Sequence, residues 1–75
     1  MFWDRYSEHE QRILMLLRSR LNNRSFNGAN IITHLGKNKK DREQLESAIE
    51  RLEQDGAIGM DAERVYRLLV KIPHE

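Results

Sequence analysis

The chain contains no cysteine, so no disulfide can staple it and no thiolate can hold zinc. That composition suits a reducing interior. No apolar run approaches the ~20 residues of a membrane span. The opening Met1-Phe2-Trp3-Asp4 has neither a basic n-region nor a following apolar stretch, so no secretory signal is expected. The four glycines fall at expected turns and form no phosphate-cradling loop. Ser7, Ser19, Ser25 and Ser47 show no nucleophile elbow and no accompanying base. His9, His34 and His74 belong to three different elements, without carboxylate or cysteine at ligand spacing. These absences predict a soluble, cytoplasmic binding module and not an enzyme, with no metal and no cofactor. No membrane partner is expected.

What is present is a short, highly charged chain of 75 residues, 33% of them Asp, Glu, Lys or Arg. Such a length holds one domain, 1–75, and one small core, because a domain near this size buries only about 60% of the surface its unfolded chain exposes. The formal net charge of +1 conceals a segregation. No acid occurs between Glu10 and Asp41, whereas Arg12, Arg18, Arg20, Arg24, Lys37, Lys39 and Lys40 all do. From Asp41 onward acids outnumber bases. Separation of this kind creates local fields that the total does not express.

The periodicity predicts three helices and a hairpin. Ser7 with Glu10 makes a capping box for helix 1, about 8–22, whose Ile13, Leu14, Leu16, Leu17 and Leu21 recur at helical spacing. Arg12, Arg18 and Arg20 are left to the solvent side, and the helix should stop near Asn22-Asn23, both poor helix formers. Arg24-Ser25-Phe26 is a short extended candidate with Phe26 inward. Asn27 then offers an N-cap to helix 2, about 28–35. Ala29, Ile32 and Leu35 share one face of it with Ile31 beside them, and Gly36 is expected as a left-handed C-cap. Asp41 with Gln44 suggests the start of helix 3, about 41–55, carrying Leu45, Ala48, Ile49 and Leu52 and stopping at Gly56. Lys37 to Lys40 would be a cationic turn, unless helix 3 begins before Asp41. Strands at about 57–59 and 64–72 complete the chain around a Gly59–Glu63 turn, with Tyr66, Leu68, Val70 and Ile72 on one face. Pro73 closes the sheet. Phe2, Trp3 and Tyr6 are read first as aromatic cover for a small core, then as a dimer contact, with stacking on nucleic-acid bases as a further alternative.

The order helix, short strand, helix, turn, helix, hairpin resembles the winged helix-turn-helix family. The segment from Leu45 through Ile49, Leu52-Glu53-Gln54-Asp55 and Gly56 to Ala57-Ile58 is similar to that family's recognition helix running into its wing. The resemblance covers about 7–72. It implies an α+β, mostly α fold: three helices and a C-terminal β-hairpin wing. It further implies a small DNA-binding transcriptional regulator, often a homodimer, that places helix 3 in the major groove. On that reading Lys37, Lys39 and Lys40 hold phosphate near the start of helix 3. Arg42, Gln44, Ser47 and Arg51 face the duplex, Gln44 suited to adenine and Arg51 to guanine or phosphate. Arg64 and Arg67 hold the adjacent backbone from the wing. The turn between helices 2 and 3, Gly36 to Lys40, is longer than the usual 3–4 residues. The acid-rich helix 3 opposes phosphate, so a second reading stays open: a protein–protein interaction module on the same fold, a phage or plasmid accessory protein or a complex subunit, docking a basic partner through helix 3.

Overall fold

The computed structural model describes residues 2–18 and 26–72. A 3₁₀ turn over Phe2–Arg5 leads into α1 (Glu8–Arg18), α2 (Gly28–Leu35) and α3 (Lys39–Asp55). Two short strands follow, β1 (Ile58–Met60) and β2 (Tyr66–Leu68). They pair antiparallel, with Ile58 opposite Leu68 and Met60 opposite Tyr66. The architecture is therefore α+β and mostly α, three helices ending in a C-terminal hairpin. No helix among the described residues is long and apolar enough to cross a membrane. The expected end of helix 1 at Asn22-Asn23, the Arg24-Ser25 stretch and Pro73 lie outside the described residues.

One core joins all the elements. Ile13 and Leu14 of α1, Ile31 of α2, Leu45 and Leu52 of α3 and Ile58 of β1 are each at most 1% exposed. Phe2, Trp3, Phe26, Leu35 and Leu68 pack around them half-buried. The N-terminal aromatics serve as cover. Phe2 meets the Trp3 ring edge-on at 5.0 Å, Tyr6 is buried, and Gln11 Nε2 donates to the carbonyls of Trp3 and Tyr6 at 3.0 and 2.9 Å.

The helix starts follow their caps. Ser7 and Glu10 exchange the two bonds of a capping box, at 3.2 and 3.3 Å, and Asn27 and Asn30 do the same for α2. In α2 the inward face is not the expected one. Only Ile31 is buried, Ile32 and Leu35 are half-buried, and Ala29 is exposed. The helix turns its Gly28–Ile31–Leu35 row to the core, with Gly28 beside the Tyr66 ring, whose edge lies 3.5 Å from where a Cβ would stand, an ordinary contact distance.

Gly36 also departs from expectation. Its backbone is extended (φ −73°, ψ 125°), not left-handed, and its need for glycine is steric. A Cβ there would stand 2.5 Å from Arg42 Cγ and 2.6 Å from the Ile32 carbonyl oxygen. Gly56 does take the left-handed conformation, at φ 80°. α3 begins two residues before Asp41. Asn38 is its N-cap, accepting from the Asp41 amide at 2.8 Å, because Asn is a strong capping residue and the lysines after it are good helix formers. The connector between α2 and α3 is thus Gly36-Lys37-Asn38, three residues, and the apparent excess length disappears.

The hairpin is shorter than its sequence pattern. Gly59 and Met60 are strand, and the turn falls at residues 61–65. Asp61 organises it, accepting from the amides of Glu63 and Val65 at 2.8 and 3.3 Å. Pairing of β2 stops after Leu68 because the amides of Leu69 and Val70 both turn to the Ala57 carbonyl. Alternation nevertheless continues, with Ile72 buried and Lys71 exposed. On the other edge of β2 the Tyr66 amide donates to the Phe26 carbonyl at 2.7 Å.

Candidate nucleic-acid interface

The connector sets the positions of the basic residues. Lys37 lies in it, and Lys39 and Lys40 occupy the first turn of α3. All three are exposed, and none pairs with an acid among the described residues. Lysine is a good helix former, but cations at a helix N-terminus oppose the macrodipole, so their charge is not there to stabilise the helix.

A polar knot beneath them fixes the angle at which α2 meets α3. Asp41 Oδ1 accepts from His9 Nε2 at 2.8 Å and from Arg12 at 3.3 Å. Its Oδ2 accepts from the Lys37 amide at 3.0 Å. Arg12 also donates to the Leu35 carbonyl at 2.8 Å, one of the carbonyls that the end of α2 leaves without a helical partner. The carboxylate ties α1 and the connector to α3, and Arg12 extends the tie to the end of α2. The Lys37 amide, then His9 and Arg12, hold the Asp41 carboxyl down at about 2, against an ordinary 3.8. Arg12 is therefore not a solvent-side residue, and Asp41 is the third residue of α3 and not its cap.

The other end of α3 is fastened to the hairpin. Tyr66 Oη donates to Glu53 Oε1 at 2.6 Å. Burial, reinforced by the neighbouring carboxylate, pushes the phenol up to about 12.

The remaining expected site residues fall into separate groups. Arg42 is exposed, with the stem of its side chain over Gly36. Gln44, Ser47 and Arg51 share one flank of α3, where with Ser7, His9 and Glu43 they line a cleft of about 370 Å³. Arg64 stands exposed in the hairpin turn with a left-handed backbone (φ 62°). Arg67 is committed within the hairpin, its Nε 2.6 Å from Asp61 Oδ2. The hairpin springs from the C-terminal end of α3, about 25 Å along a helix of that length from the lysines. The hairpin arginines thus stand apart from the lysines, whereas Lys40, Gln44, Ser47 and Arg51, spaced four, three and four, lie in one row along α3.

Sequence reasoning missed His9, Arg12, Asp41, Glu53 and Asp61 as organisers of this surface. Local signals existed for two of them: the Asn38–Asp41 spacing, since an acceptor followed three residues on by a carboxylate marks a helix start, and Asp61 at the head of a turn, where Asp bonds amides just ahead of it. The His9, Arg12 and Glu53 contacts join residues distant in sequence and had none. No family model, curated protein or solved structure matches the chain.

Proposed function

We propose that this chain is a small DNA-binding protein of winged helix-turn-helix type, acting as a transcriptional regulator, that presents the N-terminal end of α3 to the major groove. The observation that carries the reading is the exposed trio Lys37, Lys39 and Lys40 around the first turn of α3, set there by a three-residue connector. Phosphate at this end would meet three cations together with the positive pole of the helix. The element order and the bond from Phe26 to β2 support the fold-level part.

Charge along α3 favours an end-on approach. After Arg42, the acids Glu43, Glu46, Glu50, Glu53 and Asp55 face only Arg51, so the first turn approaches the duplex and the later turns lean away. Gln44, one turn in, is then the residue best placed to read a base edge, adenine being its natural partner. Ser47 and Arg51 follow on the same flank, Arg51 suited to phosphate. Arg64 can reach flanking backbone from the hairpin, whereas Arg67 must first leave Asp61. A homodimer would read a two-fold site with half-sites about one helical turn apart.

Fluorescence anisotropy with random-sequence duplex tests this, at low and physiological salt, beside a Lys39→Glu/Lys40→Glu variant. Three lysine–phosphate contacts predict a slope of log affinity against log salt of about −2.7, from about −0.9 per phosphate. The variant should lose most of that slope and most of the binding. Absence of binding at low salt, or equal binding by the variant, refutes the proposal.

A further inference from the structure

A second groove lies on the opposite flank of α3. Gly28, Ala29 and Ile32 of α2 form one wall and Ile49 part of the floor, and Tyr66 lines it beside them. It encloses about 420 Å³. Its rim on α3 is Glu46, Glu50 and Glu53, spaced four and three apart, hence one row along about two turns. Among the described residues no cation lines the groove, and no ion pair joins these carboxylates to a described residue. Three like charges in one row repel one another. Tyr66 holds Glu53 in place, so the rim is fixed at one end.

We propose that this groove docks a basic amphipathic segment of a partner protein, its apolar side chains over Ala29, Ile32 and Ile49 and its lysines or arginines against Glu46, Glu50 and Glu53. The apolar wall gives such a segment something to bury, and the carboxylate row selects its charge and orientation. The same row repels nucleic acid. Helix-in-groove recognition needs anchors spaced over two or three turns, which matches the length of the rim. The interaction is independent of duplex binding and uses the other flank of the same helix.

The test is selection of a displayed library against the full chain. Its segments are about four turns long, with Leu, Ile, Val or Phe at helix-spaced positions and Lys, Arg, Glu, Gln or Ser elsewhere. Net-positive segments should enrich. The best of them, made as a synthetic peptide, should bind with salt-sensitive affinity and shift the amide resonances of Gly28, Ala29, Ile32, Ile49 and Glu50. Glu46→Gln/Glu50→Gln should weaken it at least about tenfold, which is about 1.4 kcal/mol. Ala29→Trp, which fills the groove without changing any charge, should weaken it similarly. Both alterations sit at exposed positions, and retained helical circular dichroism separates lost binding from lost folding. Four results overturn the proposal: no enrichment above that against a Glu46→Lys/Glu50→Lys chain, enrichment of segments without net positive charge, shifts on another face, or occupation of the groove by the Lys37–Lys40 end of a second copy, seen as self-association abolished by Ala29→Trp.

Discussion

Ile31 is the single buried residue of α2, and it is 0% exposed. Replacing it with alanine removes three carbons from a site with no solvent to fill it. At about 0.8 kcal/mol per buried methylene the transfer loss is about 2.4 kcal/mol. The cavity left in the buried cluster raises this to about 3–4 kcal/mol, within the usual span for Ile→Ala. A chain of this length has a total stability of about 4–11 kcal/mol, so the substitution removes a large share of it. Ile32 is the same residue type one position on, but half-buried, and Ile32→Ala should cost only about 1 kcal/mol. Urea unfolding of the two variants followed by circular dichroism measures the contrast. Thermal melts should place Ile31→Ala about 8–24 °C below Ile32→Ala, at about 4–8 °C per kcal/mol for a small domain. If Ile31→Ala costs no more than Ile32→Ala, then α2 does not enter the core through its Gly28–Ile31–Leu35 row, and the placement of the connector lysines falls with it.

Two glycines should fail for different reasons. Gly36→Ala meets the Ile32 carbonyl and should cost about 1–3 kcal/mol, and Gly36→Asn should be no better. Gly56 has open space but a left-handed backbone, so Gly56→Asn should be milder than Gly56→Ala, and chemical denaturation of the four variants checks both patterns. Asp41 is depressed to about 2, so its unfolded form binds a proton first as pH falls. Its stabilising contribution is whole above about pH 4 and lost towards pH 2. The stability gap between the wild type and Asp41→Asn should close over that interval, and a gap constant from pH 6 to 2 would contradict the knot. Tyr66 is raised to about 12, so its contribution holds below about pH 10 and fades as pH climbs to 12. Tyr66→Phe should cost about 1 kcal/mol at neutral pH and be insensitive to this alkaline loss, read from denaturation midpoints at pH 8 and 11.

The helices were legible because their signals are local. Asn27 capped α2 where a capping residue precedes an apolar run, and Leu45, Ala48, Ile49 and Leu52 gave the buried row of α3 at the spacing a helix requires. Asn38 was passed over in favour of Asp41, since both are good caps and only the folded connector decides between them. The rotation of α2 could not be read from Ala29, Ile32 and Leu35, because Ile31 offers a second stripe of equal hydrophobicity. Only the packed core, in which Ile31 is fully buried and Ile32 half-buried, distinguishes the two. Gly36 was assigned to a backbone conformation when its role is the close passage of Arg42 and Ile32, which no neighbouring residue announces. The connector lysines were visible within a run without acids, whereas Arg51, Arg64 and Arg67 fall in the acid-rich half, and where the hairpin arginines stand relative to the lysines comes from the fold.

The fastening of α3 at both ends, through Asp41 in its first turn and Glu53 in its last, has a kinetic consequence. A helix tied at one end can roll and fray, and a ligand must then wait for the right orientation or bear the entropy of imposing it. A helix tied at two ends offers both flanks in a standing geometry. Encounter with a partner should then be governed by diffusion and charge, at about 10⁵–10⁷ M⁻¹s⁻¹ before electrostatic steering, without a slow ordering phase. Selectivity between partners would then be expressed in how long each complex lasts and not in how quickly it forms.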